Sequence, residues 1–145
     1  MIPLFGKIYF GGIKNIIKTF LRFRKNFPKV LDIGGGLGLF SLNFKLNFPK
    51  SNVFILDEIL YDGIKAPLTK NATIRINDYI QGDIQKKTSF HNDNFDLIFA
   101  LDILEHVDNP SVAIDEILRI LKKNGLLFIS VPTESILLRM VRFLI

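Results

Sequence analysis

The sequence predicts an α/β fold with a mostly parallel sheet of about five strands and flanking helices. Short apolar segments of strand type alternate with segments of helical periodicity along the chain, and this alternation is typical of parallel sheets with crossover helices. The first strand-like segment leads into a glycine-rich turn at 34–38. Acidic residues follow this and other predicted strands, at the end of a parallel sheet where ligands bind.

Length and composition limit the classes of protein to which the chain can belong. It has 145 residues, of which 48% are hydrophobic and fourteen are phenylalanine, so we expect one domain with a substantial core. The absence of cysteine excludes disulfides, thiolate nucleophiles and cysteine zinc sites. The net charge of +5 permits an anionic partner without identifying one. No apolar run is long enough to span a bilayer, and no signal peptide is indicated.

Three regions are predicted along the chain. Residues 1–28 comprise an irregular start and an amphipathic helix, because apolar residues recur from Ile13 to Leu21 at helical spacing. We expect this helix to pack on the domain with its basic side in solvent, and a membrane-surface or substrate-lid helix is the alternative. Residues 29–132 form the ligand-binding domain, and residues 133–145 form an apolar, basic tail.

The first predicted strand, Lys29–Ile33, leads directly into the glycine turn, and a helix begins at Leu39. Glycines at this turn let the chain bend sharply and let a ligand approach the backbone. The helix is predicted from three phenylalanines at helical spacing, which are Phe40, Phe44 and Phe48.

The spacing of the three glycines, Gly34, Gly36 and Gly38, differs from two phosphate-binding patterns. A dinucleotide fingerprint needs its third glycine where Leu39 stands, and a phosphate loop needs a lysine that this turn lacks. Asp32 also disfavours a phosphate, because like charges repel. An acid beside a helix N-terminus suits a zwitterion such as an amino-acid-bearing nucleoside. The alternative is a tight strand-to-helix turn that binds no ligand.

The second predicted strand, Asn52–Leu56, ends at Asp57 and Glu58. An acid at this position of a βαβ unit can accept hydrogen bonds from both ribose hydroxyls, and an ordinary surface acid is the alternative. A third strand is predicted within 73–82, with Asp83 at its carboxyl end. The intervening residues 61–78 encode the expected crossover weakly, because Gly63 and Pro67 interrupt any helix.

The fourth predicted strand, Phe95–Ala100, is continuously apolar, as the middle of a parallel sheet requires. A helix is predicted to begin at Asn109 and Pro110, and the fifth strand is predicted at Leu126–Val131. The predicted inward residues of this helix and its end are Val112, Ile114, Ile117, Leu118 and Leu121.

Acidic groups follow four predicted strands, and the ends of parallel strands meet at one edge of the sheet. We therefore expect Asp32 with the glycine turn, Asp57, Asp83 and Asp102 to surround one crevice.

These segments together resemble class I S-adenosylmethionine-dependent methyltransferases of the small-molecule type. The segments that carry the resemblance are VLDIGGGLGLFS (30–41), VFILDE (53–58), QGDI (81–84), FDLIFALDILEHVDNP (95–110) and EILRILKKNGLLFISVP (116–132). The resemblance implies a Rossmann-like fold that is truncated relative to the seven-stranded fold of the family, because the chain stops thirteen residues after Pro132. It also implies S-adenosyl-L-methionine as the cofactor.

The resemblance further implies a role for each strand end. Asp32 would lie near the ammonium of the cofactor, and the three glycines would pass its methionine part. Asp57 would hold the ribose, and Asp83 would face the adenine amino group, with Ile84 on the ring. Ala100 and Leu101 would line the site near the sulfonium. The implied cofactor-binding set is Asp32, Gly34, Gly36, Gly38, Asp57, Glu58, Gly82, Asp83, Ile84, Ala100 and Leu101.

Asp102, Glu105 and His106 are the candidate catalytic residues, because they form the compact acid and histidine group at the crevice. Their i, i+3, i+4 spacing would let them share one helical face. They would fix the loop after the fourth strand, or alternatively act as a general base or metal site. Some quinone-precursor O-methyltransferases have a similar run that binds a divalent metal. His91 lies in a polar segment and is predicted to be a surface residue.

The expected acceptor is a small molecule, since no basic stripe with interleaved aromatics argues for nucleic acid. The alternative is a non-catalytic S-adenosylmethionine-binding remnant or subunit that a partner chain completes; a nicotinamide oxidoreductase ranks third. The apolar tail predicts docking to the domain, to a second copy or to a membrane surface. We expect a cytoplasmic protein, with the membrane periphery as the alternative location.

Overall fold

A computed structural model describes residues 26–59 and 76–130 of the chain. Seven elements occur in these ranges in the order strand, helix, three strands, helix, strand. They are β1 (Lys29–Ile33), α1 (Leu39–Asn47), β2 (Asn52–Asp57), β3 (Asp78–Gln81), β4 (Phe95–Leu101), α2 (Pro110–Ile120) and β5 (Leu121–Ser130).

The strands form one five-stranded sheet in the order β3-β2-β1-β4-β5. Every pairing is parallel, which confirms the predicted α/β class and sheet. The strand order reverses between β1 and β4, and a crevice forms at such a point outside the carboxyl ends of the strands.

The sheet is covered on both faces, as a parallel sheet requires. Alternate residues of β4 point to opposite sides, so that Leu97 and Phe99 join one core cluster and Ile98 and Ala100 join the other. The first cluster includes the phenylalanines of α1, and the second includes the inner face of α2. The two helices therefore hold β1 and β4 between them.

The helix α1 buries the three phenylalanines that predicted it. Phe44 stacks on Phe48 with ring centroids 4.5 Å apart, and Phe40 meets Phe99 of β4 edge-on at 4.6 Å. Aromatic pairs in these geometries add about 0.5–1.5 kcal/mol beyond their buried area. The helix predicted to begin at Leu39 is confirmed.

The helix α2 begins as predicted, because the Asn109 side chain accepts a bond from the Val112 N–H and Pro110 occupies the first turn. Its inward face differs from the prediction. Val112 and Leu118 are 41% and 54% exposed, and the buried positions are Ala113, Glu116, Ile117 and Ile120. A glutamate occupies an inward position there because its charge is paired with Arg119.

Two strand boundaries also differ from the prediction. The described part of β3 begins at Asp78, although apolar residues were expected to extend it from 73. β5 begins at Leu121, directly after α2, and its pairing with β4 shifts between Phe95 and Leu97. Lys122 and Lys123 therefore lie within the irregular start of β5.

Several predictions concern residues outside the described ranges. They are the helix from Ile13 to Leu21, the crossover near Pro67, the Val131 end of the fifth strand and the tail at 133–145. Among the described helices, neither is long and apolar enough to cross a membrane.

Candidate functional site

A cleft of about 130 Å³ opens at the carboxyl ends of the central strands. It lies where the topology predicts a ligand, between the ends of β1, β2 and β3 and the loop that follows β4. Its walls are Ile33, Gly34, Leu56, Asp57, Glu58, Ile59, Gly82, Ile84, Ile103, His106 and Val107.

The glycine turn leaves open space beside Gly36. This residue has a φ of 50°, and a Cβ built on it would meet no atom within 4 Å. A side chain at Gly36 would therefore be strained by the backbone and would occupy space that is open for a ligand. Gly34, which lines the cleft, is close-packed instead, because a Cβ there would lie 2.7 Å from Ile103 Cδ1.

Gly38 lies at the other end of the turn and caps α1. Its φ is 69°, and the space that a Cβ would fill is occupied by the Tyr79 hydroxyl and by Ile55. Tyr79 therefore reaches from the edge strand β3 across β2 to the glycine turn. No local pattern in the sequence indicates this contact, because Tyr79 and Gly38 lie 41 positions apart.

Asp57 joins the end of β2 to the glycine turn. Its Oδ2 accepts a bond from the Gly36 N–H at 2.8 Å, and its Oδ1 accepts one from the Ile59 N–H at 3.0 Å. These bonds fix the carboxylate at the cleft wall. Each oxygen retains a further lone pair, so the group can still accept hydrogen bonds from a vicinal diol.

Asp32 lies beneath the turn, only 3% exposed and not on the cleft wall. The Ser41 hydroxyl donates a 2.6 Å bond to its Oδ2. The pKa of Asp32 is raised to about 7. Burial is the largest cause and the nearby charge of Asp57 adds to it, while the bond from Ser41 acts in the opposite direction. A cation bound near the turn would favour the ionised form of this acid.

The turn after β3 brings Gly82 and Ile84 to the cleft. The Gly82 N–H donates to the Asp57 carbonyl at 2.9 Å, which ties this turn to the end of β2. The Asp83 carboxylate turns to its own loop, where it accepts the Gln85 N–H at 2.8 Å and pairs with Lys86 at 3.4 Å. These contacts, the Gln85 bond first, lower the pKa of Asp83.

Of three further predicted cofactor residues, one lines the cleft and two do not. Glu58 is exposed and lines the cleft, and its carbonyl accepts a bond from Gln81 at 3.0 Å. Ala100 and Leu101 lie in β4 away from the cleft walls, with Ala100 fully buried and Leu101 half-buried.

The candidate catalytic residues do not share a helical face. The segment after β4 is a turn, in which the His106 N–H donates to the Ile103 carbonyl. Asp102 has a φ of 51°, a left-handed conformation that ends the strand and that aspartate tolerates. Its carboxylate accepts the Ser130 hydroxyl at 2.8 Å, and its N–H donates to the same residue. Asp102 thus joins the ends of β4 and β5.

His106 reaches the cleft with a side chain that is 72% exposed, and its Nε2 lies 4.0 Å from Glu105 Oε1. Across residues 26–59 and 76–130, no three acidic or histidine side chains come together in a group that could hold a metal ion. Asp102 therefore links two strand ends, whereas His106 lies at the cleft with Glu105 beside it. His91 is exposed, as predicted.

The structure adds cleft residues that the sequence did not indicate. Ile59, Ile103 and Val107 give the cleft apolar walls around His106 and the end of β2. Ile59 is exposed, and the bond of its N–H to Asp57 fixes its position. Its only signal in the sequence is that it follows Asp57 by two residues.

Comparisons with known proteins agree with this geometry. A family model described as a methyltransferase domain matches residues 5–143. The mitochondrial ubiquinone biosynthesis O-methyltransferase of Dictyostelium discoideum is 30% identical over 118 residues, which cover 74% of this chain and 36% of that protein. Ribosomal RNA small subunit methyltransferase G of Prochlorococcus marinus subsp. pastoris is 34% identical over 110 residues, which cover 70% and 44% respectively.

The fold is also found among solved structures. A protein from Pyrococcus horikoshii OT3 superposes with a TM-score of 0.71 at 24% identity, covering 93% of this chain and 59% of that one. The chain spans about a third to a half of the length of the two curated relatives.

Proposed function

The chain belongs to the methyltransferase-domain family, with a class I S-adenosylmethionine-dependent fold, and from this premise we propose that it binds S-adenosylmethionine in the cleft and methylates a small-molecule acceptor. The observation that carries the proposal is the bond between Asp57 and the Gly36 N–H, at 2.8 Å. It joins an acid that can accept hydrogen bonds from a diol to a glycine turn with open space beside it.

The described residues fit a ligand with a ribose and an amino-acid end. Asp57 offers lone pairs to two hydroxyls, and Ile59 and Ile84 provide apolar surface in the same cleft. The open space at Gly36 lies next to Asp57, and buried Asp32 supplies negative charge beneath the turn. An ammonium held there would offset part of the cost of ionising Asp32.

The cofactor would supply an activated methyl group on a sulfonium, so alignment accounts for most of the catalysis. Positioning of reacting groups can lower a barrier by roughly 7–11 kcal/mol. His106 is the histidine on the cleft wall, and histidine is the most frequent general base in enzymes. It would accept the proton of an acceptor hydroxyl, while S-adenosylmethionine would supply the methyl group.

The names of the two relatives point to different acceptors, one in ubiquinone biosynthesis and one in ribosomal RNA. We favour a small hydroxylated aromatic compound, because Ile103 and Val107 lie beside His106 in the cleft. Methyl transfer to catechol, compared with transfer to total ribosomal RNA, distinguishes the two classes. Transfer only to RNA would overturn the small-molecule part of the proposal.

Cofactor binding is tested by calorimetry with S-adenosylhomocysteine on Asp57→Ala. We expect a loss of roughly 1.5–3 kcal/mol in binding free energy, the value of hydrogen bonds to a charged acceptor. Asp78→Ala is the matched control, because Asp78 is an exposed acid at the opposite end of β3. Equal affinity in all three proteins would remove Asp57 from the site.

The catalytic role is tested with His106→Ala. If His106 is the base, the variant keeps its affinity for S-adenosylhomocysteine and loses about 10²–10⁴-fold in the rate of methyl transfer. Binding by the wild-type chain without transfer to either acceptor would instead favour the non-catalytic subunit.

A further inference from the structure

Two separate loops supply walls of the cleft, and one side chain joins them. The turn after β3 contributes Gly82 and Ile84, while the loop after β4 contributes Ile103, His106 and Val107. Gln85 lies directly after the first of these walls and does not itself line the cleft.

The Gln85 side chain connects the two loops by hydrogen bonds. Its Oε1 accepts the backbone N–H of Asn109 at 2.8 Å, and its Nε2 lies 3.4 Å from Asp83 Oδ1. The same Asp83 oxygen accepts the Gln85 backbone N–H at 2.8 Å. Gln85 is thus held by the β3 turn and holds the end of the β4 loop, three residues after His106.

The residue that Gln85 holds is itself firmly placed. Asn109 caps α2: its Oδ1 accepts the Ser111 hydroxyl at 2.7 Å and the Val112 N–H at 3.4 Å. Seven residues further along, Glu116 accepts the Thr88 N–H and hydroxyl at 2.8 and 2.6 Å. The segment 83–88 therefore meets α2 at two points, and the contact through Gln85 is the one beside the cleft loop.

We propose that Gln85 is a positioning residue that couples the cofactor side of the cleft to the loop that carries His106. The proposal rests on the function proposed above, in which one loop contacts the cofactor and the other faces the acceptor. A ligand that orders the turn at 82–86 would order the loop at 103–109 through this side chain. The coupling matters because small misplacements of reacting groups cost large factors in rate.

The test is amide hydrogen exchange of residues 103–109 with and without saturating S-adenosylhomocysteine. Gln85→Met keeps the length of the side chain and removes the two hydrogen bonds of its amide group. We expect the ligand to slow exchange in this segment of the wild type, and Gln85→Met to lose that protection while it still binds the ligand. Without ligand, exchange of the Asn109 amide should be about 2- to 12-fold faster in Gln85→Met, the range for one lost hydrogen bond.

Two further variants separate coupling from general loosening. Gln81→Met is the control, because Gln81 donates an equally exposed bond to the Glu58 carbonyl and does not contact α2; exchange at 103–109 should match the wild type. Gln85→Glu keeps an oxygen for the Asn109 N–H but replaces the donor to Asp83 by a second carboxylate, so it should restore only part of the protection. Equal effects of Gln81→Met and Gln85→Met, or wild-type exchange in Gln85→Met, would overturn the proposal.

Failure of the proposed function has a different signature. If the wild type does not bind S-adenosylhomocysteine, the cofactor assignment fails, and the ligand-free exchange of Asn109 still decides whether Gln85 braces the loop.

Discussion

Asp32 and Glu116 are both buried carboxyl groups, with 3% and 8% of their surface exposed, yet their pKa values move in opposite directions. Burial raises the pKa of Asp32 to about 7. The hydrogen bonds from Arg119 first, and then those from Thr88, bring the pKa of Glu116 down to about 2.

Hydrogen-bond donors account for the difference. Glu116 receives the Arg119 guanidinium through two 2.6 Å contacts, together with the N–H and hydroxyl of Thr88. In the described part of the chain, Asp32 receives one donor, the hydroxyl of Ser41. Glu116 therefore has both a charged and a neutral donor within the chain, whereas Asp32, beneath the glycine turn, has one neutral donor among the described residues. A cationic ligand bound beside Asp32 would stabilise the ionised carboxylate. Its binding would therefore offset the destabilisation that the burial of this charge causes.

The largest effect is expected from Glu116→Ala, which removes the carboxylate that accepts hydrogen bonds from both Arg119 and Thr88. Arg119 and Thr88 would lose their acceptor. Hydrogen bonds to a charged group contribute about 1.5–3 kcal/mol each, and because the Arg119 side chain is 22% exposed and stays partly hydrated, we expect a total loss of about 3 kcal/mol. Urea unfolding at pH 7 measures the loss. Asp115→Ala, at an exposed position of the same helix, should stay within about 0.5 kcal/mol of the wild type. Similar losses in both variants would mean that the Glu116 network adds no stability.

Asp32→Asn is expected to have the opposite sign at pH 8. The unfolded chain ionises Asp32 near 3.8 and the folded chain near 7, so Asp32 makes stability fall as pH rises between these values. The difference corresponds to at most about 4 kcal/mol. A neutral amide still carries a burial cost, so we expect a gain of about 2 kcal/mol, together with weaker binding of S-adenosylhomocysteine.

The pH dependence of unfolding checks this sign independently. Between pH 4 and 7, the decline in stability that Asp32 causes should be absent from Asp32→Asn. The contribution of Glu116 lies in another window, because it is present above 4.5 and is lost as pH falls towards about 2. A variant with the same decline as the wild type, and with unchanged affinity, would remove Asp32 from both roles.

The two acids also mark how far the sequence can be interpreted alone. Alternating strands and helices, with Asp32 before the glycines and Asp57 after the second strand, were enough to predict the sheet and one crevice. The contacts that complete each acid were not predictable. Leu118 was predicted to face inward from its hydrophobicity, and Glu116 was not among the predicted inward residues. The pairing of Glu116 with Arg119, which lets a charged residue be buried there, has no signal in the local pattern.

The site was predictable to the same extent. The sequence placed Gly34, Asp57 and Ile84 at strand ends, and the structure brings them to one cleft. It could not separate Asp102 from His106, because the separation follows from a left-handed φ at Asp102 and a bond to Ser130. Tyr79 was missed for a similar reason, since its contact with Gly38 crosses a neighbouring strand.

Ser41→Ala should have the smallest effect and the most specific one. The Ser41 bond lowers the pKa of Asp32, so its loss should extend the pH-dependent decline in stability above pH 7. At pH 6, where Asp32 is largely protonated, the variant should lose about 1 kcal/mol, the net value of one hydrogen bond. Ser51→Ala is the matched control: Ser51 is equally buried, and the bonds that the structure gives it go through its backbone. Urea unfolding at pH 6 and 8 compares the two. If Ser41→Ala and Ser51→Ala lose the same stability at both pH values, the hydroxyl of Ser41 contributes only packing. Its hydrogen bond then has no effect on the pKa of Asp32.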